Sequence, residues 1–379
     1  MAEYESELSK LVDQLNRSVT NGKSSEKRSL DQLLAAALRR NASDIILVAG
    51  SPVTLRVNGA LTPDADTLLS TENIQNILLP LLTSTQLKEL QEQKSLDFCF
   101  VRPSIGRFRA NFHHQRGTLA AAIRLLPEQV PTLESLHLPP SLAMLTERRQ
   151  GLVLLTGPTG CGKTSTLAAL VDRINARRQD HIITIEDPIE YQHTNRSSLV
   201  EQIELGHDTP NFGKAVRSVL RQDPDVIMVG EMRDSETMAA ALTAAETGHL
   251  VLTSLHTNDA AQTVSRILDT FPTGHQSQIR QQLSLALLAI LSQQLLPAAN
   301  GAAGRYPAVE ILVANGATRN LIRRGDDHQL RASIETGRAD GMLTMEQSLV
   351  ELVRAGRISS ETAFAHCYHP DDLRRHLES

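Results

Sequence analysis

A chain of 379 residues with 41% apolar and 21% charged residues has room for two or three domains with cores of their own, and reads as an ordinary globular protein. A formal net charge of −5, 3% aromatic residues and no tryptophan argue against a protein that coats nucleic acid or stacks single strands. Cys99, Cys161 and Cys367 lie far apart and form no CxxC pair, so neither a disulfide framework nor a four-cysteine zinc site is on offer, and a reducing setting fits.

Residues 1–28 are polar and read as an N-terminal extension without the apolar core of a secretory signal. Ser29 and Gln32 form an S-x-x-Q capping box for the helix LDQLLAAALRRN. Strand-like runs follow at 44–50 and 52–59, helical patterns at about 71–94, and further strands at 95–101, 106–115 and 118–127. Strands and helices in separate blocks predict a small α+β domain with an antiparallel sheet over 29–127. Pro127, Pro131, Pro139 and Pro140 punctuate an expected linker at 128–145. From 146 onward, short apolar strands at 151–156, 181–186, 224–229, 249–255 and 306–313 alternate with helical segments, which predicts an α/β domain with parallel strands and crossover helices. The segment from about 317 to the end reads as helical. The longest apolar run, LSLALLAIL at 283–291, is far short of the ~20 residues a bilayer span needs, so any membrane association is expected through a partner.

Five motifs carry chemistry. The first is G-x-x-x-x-G-K-T, here Gly157, Pro158, Thr159, Gly160, Cys161, Gly162, Lys163 and Thr164, followed by Ser165. Successive backbone N–H groups of such a turn, with the helix that follows, cradle the phosphates of ATP. Lys163 reaches the β/γ-phosphates and the Thr164 hydroxyl binds Mg²⁺. A strand before it and a helix after it are the context that separates this loop from a chance match. The second is DPDVIMVGEMRD, an apolar strand ending at Gly230-Glu231, where Glu231 is placed to hold Mg²⁺ through water or to polarise the attacking water. In the third, ITIEDPIEY, the acids Glu186, Asp187 and Glu190 end another strand and repel one another unless a cation neutralises them; Mg²⁺ with the nucleotide would do so. The bland alternative for each acid is a solvated turn. The fourth, TGHLVLTSLHTND, sets His249 before a strand and His256 at its end, where His256 is the better placed to sense the γ-phosphate and His249 divides evenly between that and a structural role. The fifth is a set of arginines, Arg107, Arg109 and Arg124. The first two are two apart on a strand and project from one face, where they either complete a neighbouring subunit's phosphate site or form a solvated basic face.

Together these motifs resemble the secretion ATPase superfamily, and within it the PilT-like type IV pilus retraction ATPases, from about residue 29 to the end. LRQDPDVIMVGEMRD and ITIEDPIEY match the family's Walker B and Asp-box elements and TGHLVLTSLHT its His box, while ALTAAETGHLV and LSQQLLP are also close to it. The resemblance implies a PAS-like first domain and a RecA-like second domain with C-terminal helices. It implies a homo-hexameric ring with ATP and Mg²⁺ between subunits, cytoplasmic and peripheral at the inner membrane. It also implies a mechanical role, in which the ring acts on an inner-membrane pilus platform protein, with related retraction ATPases as further partners and no direct nucleic acid. Assembly motors of the superfamily are longer at the N-terminus and usually carry a four-cysteine zinc motif, which favours retraction; a pilus-assembly or type II secretion ATPase is the alternative. Against a nucleotide-gated scaffold stand the intact Lys163, Glu190 and Glu231; against a nucleic-acid translocase stand the acidic balance and few aromatics. The chain departs from the family pattern at Cys161, where serine is usual, and in ATRNLIRR at 317–324, where Thr318 and Arg324 replace isoleucine and glutamate.

Overall fold

The computed structural model describes residues 28–57, 59–301 and 304–378, so the expected extension lies, except for Arg28, outside the described residues. Contacts divide the chain between Leu126 and Pro127 into two compact units.

Among the described residues of the first unit, each α-helix starts on a capping box. Ser29 Oγ accepts from Gln32 N at 3.3 Å while the Gln32 side chain accepts from Ser29 N at 2.8 Å, which starts the helix Leu30–Arg39 as the sequence predicts. Ser70 with Asn73 and Thr83 with Gln86 do the same for Thr71–Leu78 and Ser84–Gln93. The strands are β1 (Ala42–Leu47), β2 (Pro52–Val57), β3 (Ala60–Leu68), β4 (Ser95–Arg102), β5 (Gly106–Gln115) and β6 (Thr118–Leu126). They form one antiparallel sheet of order β3-β2-β1-β6-β5-β4. Leu33, Leu34, Ile74, Leu78 and Leu90 of the helices pack with Ile45, Phe108, Phe112 and Ile123 of the strands. The alternation of β5 puts Phe108, Ala110 and Phe112 into this core and turns Arg107 and Arg109 to the other face. β3 was absent from the sequence reading; its proline and two aspartates mask the pattern.

The second unit is built on β7 (Gly151–Thr156), β8 (His181–Glu186), β9 (Leu199–Glu204), β10 (Val226–Val229), β11 (Leu250–Leu255), β12 (Leu287–Pro297) and β13 (Arg305–Val313). Their order is β13-β12-β7-β11-β10-β8-β9, parallel throughout except that β13 is antiparallel to β12. The sequence reading had β13 among the parallel strands. It follows β12 by a short connection, which permits only an antiparallel return. The central strands are buried on both faces: Leu152 and Leu154 of β7 enter one core with the helices Phe212–Val219, Ser235–Glu246, Ala260–Asp269 and Thr273–Ala286. Val153 and Leu155 enter the other with the helix Lys163–Arg177. The stretch read as a linker packs into that second core through Leu133, Leu138, Leu142 and Leu145. Helices Gly316–Arg324, Leu330–Thr336, Met345–Arg354, Ser360–His366 and Pro370–Glu378 make up the helical C-terminal portion; the first two join the core of Leu152 and Leu154, and the last three close on Leu296 and Ala308 of β12 and β13. Among the described residues no helix is long and apolar enough to cross a membrane.

Candidate active site

Strands β7, β8, β10 and β11 run in one direction, so their carboxyl ends share one edge of the sheet, where open α/β sheets bind ligands. At that edge β7 gives way to the loop Gly157–Gly162 and the helix Lys163–Arg177. Gly157 has φ +139°, and a Cβ there would lie 2.2 Å from the Gln293 carbonyl oxygen, so a side chain is excluded. Gly162 is the N-cap of the helix and leaves it without a side-chain cap. By contrast, Asp234, Asp259 and Asn315 cap the helices Ser235–Glu246, Ala260–Asp269 and Gly316–Arg324. An uncapped first turn behind a glycine loop presents N–H donors suited to an anion. Pro158, Thr159 and Gly160 form the exposed tip, and Cys161 is buried beneath it, its thiol pushed up by burial. Lys163 is 8% exposed, and its Nζ donates to Gly157 O at 2.8 Å and Pro158 O at 3.1 Å. Burial pushes its pKa down, while Cys161 and the Glu231 carboxylate act in the opposite sense. Thr164 and Ser165 follow, half-buried, and Ser165 Oγ lies 2.8 Å from Tyr191 Oη.

The acids take different places along the same edge. Glu186 ends β8 and is 4% exposed; its carboxylate accepts from Thr184 Oγ1 at 2.8 Å and Gln202 Nε2 at 3.0 Å. Burial pushes it up to about 7, against those two hydrogen bonds and helped by the charge of Glu190. Asp187 is exposed and Glu190 half-buried, next to Tyr191. Beyond β10, the Glu231 side chain is 14% exposed, with Oε2 3.1 Å from His256 Nε2 and an ion pair to Arg233 Nε. Ser254 Oγ donates to Gly230 O at 2.6 Å, tying the tip of β10 to β11, which ends one residue before His256. A cation in the loop, a carboxylate facing it and an imidazole on that carboxylate can bind phosphate, hold a hard cation and move a proton.

The remaining predicted residues fall into two groups, one in this unit and one in the first. His249 precedes β11 and lies at the amino edge of the sheet, its Nδ1 2.9 Å from Ala244 O. The length of β11, roughly 20 Å at ~3.3 Å per residue, separates it from the phosphate loop, so it stands outside this gathering. Arg107, Arg109 and Arg124 belong to the first unit, where Arg109 and Arg124 are paired directly across β5 and β6. Arg124 Nε is 3.0 Å from Asp44 and Arg109 Nε is 3.9 Å from Asp97.

A model of the family described as Type II/IV secretion system protein matches residues 20–363. The chain belongs to that family. It is 44% identical over 335 residues to a twitching motility protein of Neisseria gonorrhoeae, covering 88% of this chain and 89% of the relative. It is 42% identical over 344 residues to the type IV pilus retractation ATPase PilT of Pseudomonas aeruginosa, covering 91% and 99%. The crystal structure of the pilus retraction motor PilT with bound ADP is 43% identical, aligns over 92% of this chain and 99% of that chain, and gives a TM-score of 0.85. The resemblance to PilT-like ATPases read from the motifs is borne out, and the fold is the mixed α/β ATPase fold of that structure.

Within this family member, four further side chains, given no role by the sequence analysis, support the site. Arg233 holds Glu231, Gln202 and Tyr191 fasten the acidic segment, and Gln293 leans on the phosphate loop. Gln202 carries no motif spacing, Tyr191 ends the third motif without a titratable signal of its own, and Gln293 sits in a strand whose apolar start reads equally as helix.

A second buried carboxyl sets a pH dependence. Glu310, on β13, accepts from Ala260 N at 3.0 Å, and burial pushes it, like Glu186, up to about 7. Between the ordinary carboxylate value of 4.5 and about 7, the folded protein keeps protons that the unfolded chain has released. Stability from these groups is therefore fully present below 4.5 and is lost as pH rises through about 7. Each draws stability down as pH rises within that window. The melting temperature is expected to fall from about pH 5 to about pH 8, and Glu310→Gln, which keeps an acceptor for Ala260 N–H, is expected to flatten the slope. A slope unchanged in that variant would rule the carboxyl out.

Proposed function

We propose that the chain is an ATP-hydrolysing motor that powers type IV pilus retraction. It works as a homo-hexameric ring in the cytoplasm, peripheral at the inner membrane, acting on a platform protein there. The observation that carries this reading is the carboxyl edge of the second unit, where the uncapped glycine loop and buried Lys163 meet Glu231 and His256. The near full-length likeness to a retraction motor with bound ADP supports it. In this reading residues 29–127 are PAS-like and residues 146–379 RecA-like with appended helices.

The loop N–H groups and Lys163 hold the phosphates of ATP and neutralise the charge that develops on the γ-phosphoryl group. Thr164 and Glu231 offer one hydroxyl and one carboxylate. That set fits a magnesium ion that keeps water and substrate phosphates as its other ligands, not an all-protein cage. When bound, Mg²⁺ screens the phosphate charge. Glu190 and Glu231 are the carboxylates that orient the attacking water and take its proton, and hydrolysis yields ADP and phosphate. His256, bonded to Glu231, reports the state of that carboxylate to the β11 edge.

Deleting the gene in the bacterium that carries it tests the reading. Cells that gain surface pili and lose twitching support retraction. Bald cells would mean an assembly motor instead.

A further inference from the structure

Strand β12 overhangs its neighbour. It pairs with β7 in parallel as far as Ser292, which faces Thr156, the last residue of β7, and then continues to Pro297. Beyond Ser292 it therefore runs beside the phosphate loop. Thr156 Oγ1 donates to Ser292 Oγ at 2.9 Å, which fixes this register where the overhang begins. The next residue, Gln293, is 4% exposed. Its Nε2 donates to Cys161 O at 2.6 Å and its Oε1 accepts from Thr166 Oγ1 at 2.9 Å. Its own carbonyl oxygen lies 2.2 Å from where a Cβ on Gly157 would stand, and its Nε2 lies 2.9 Å from a Cβ on Gly162. One residue thus touches the loop at its first glycine, at its buried cysteine, at its last glycine and on the helix that follows.

From these contacts we infer that Gln293 is a positioning residue that holds the phosphate loop from behind, so that the loop N–H groups converge on the phosphates. The inference rests on the nucleotide reading proposed above. Cys161 O takes a donor from this side chain and the Thr166 hydroxyl takes an acceptor from it, and a neutral amide supplies both at once. Glutamate has the same shape and no donor when ionised, so it sets an oxygen against the Cys161 carbonyl. Alanine removes the donor to that carbonyl and leaves the hydroxyl only its longer bond to Gly162 O, at 3.2 Å. Either change lets the loop shift, and a displacement of about 1 Å at a reacting centre costs on the order of 10²-fold in rate. Gln294, next along the strand, turns to the opposite face and donates to Tyr368 Oη at 2.8 Å and His366 O at 3.2 Å, which makes it a matched control.

The test titrates the full-length protein with a fluorescent ADP and with adenosine, and measures kcat for ATP hydrolysis. Gln293→Glu and Gln293→Ala are expected to weaken ADP about tenfold or more and lower kcat on the order of 10²-fold, with adenosine affinity unchanged, because only the phosphates lie on the loop. Gln294→Ala is expected to match the wild type in all of these. A side chain that served only general stability would weaken both ligands or neither. If Gln293→Ala does not fold, Gln293→Glu, of equal volume, decides. ADP affinity and kcat at the wild-type level in Gln293→Glu, beside a wild type that binds ADP, overturn the inference alone. A folded wild type that binds no ADP overturns the nucleotide reading and the inference with it.

Discussion

Lys163→Ala is expected to lose ATP hydrolysis by on the order of 10³-fold or more while keeping its fold. The side chain is a buried cation whose nitrogen, among the described residues, donates to carbonyls of its own loop, Gly157 and Pro158, and approaches Cys161 Sγ at 3.9 Å. Removing it spares the desolvation that pushes its pKa down, and alanine is a good first residue for the helix it opens. What is lost is the positive charge aimed at the γ-phosphoryl group when its charge develops. Glu190→Gln and Glu231→Gln separate binding from chemistry in the same assay, since each keeps its shape and loses only its charge. Each should still bind ATP and lose roughly 10²-fold in kcat if it serves as base or metal anchor. Turnover near the wild-type rate in a folded Lys163→Ala protein would sink the assignment of this loop. Wild-type turnover in both glutamine variants would remove the carboxylates from the chemistry.

The phosphate loop was legible because its signal is local: an apolar strand, a glycine turn and a helix are consecutive in sequence. The strand tips were legible for a related reason. In a parallel sheet every carboxyl end lies on one edge, so locating β8, β10 and β11 located Glu186, Glu231 and His256. His249, which precedes β11, lies by the same rule on the opposite edge. What was hidden depended on register between segments far apart. The run LSLALLAIL changes from helix to strand between Ala286 and Leu287 with no glycine or proline to mark it, and with that strand went Gln293. Leu133, Leu138, Leu142 and Leu145 lie among prolines that read as a connection, while their burial is decided by β7 and the helix Lys163–Arg177. Glu310 gave no warning either. A lone carboxylate in an apolar strand becomes informative only once the N–H of Ala260 is seen to meet it.

The arginines decide whether one subunit completes another. Arg109 and Arg124 stand side by side across β5 and β6, two like charges that repel unless something shares them. Asp44 lies 3.0 Å from Arg124 but is also 3.7 Å from Arg56, and Asp97 reaches Arg109 only at 3.9 Å. Such exposed pairs are worth about 1 kcal/mol or less, too little to hold a guanidinium away from a phosphate. If this face meets a neighbour's phosphate loop in the proposed ring, isolated monomers are nearly inactive and specific activity rises with protein concentration. Arginines supplied in trans are worth roughly 10³-fold or more in rate, so Arg109→Ala alone should be close to dead. The decisive experiment mixes two inactive proteins, Lys163→Ala and Arg109→Ala. In a mixed ring some sites pair an intact loop from one subunit with an intact arginine from the next, and activity partly returns in proportion to such pairings. Two variants damaged in the same site cannot rescue each other, so recovery would assign the arginine to the neighbour. Absence of recovery at every mixing ratio, with mixed rings confirmed by mass, would leave Arg107, Arg109 and Arg124 as a solvated basic face.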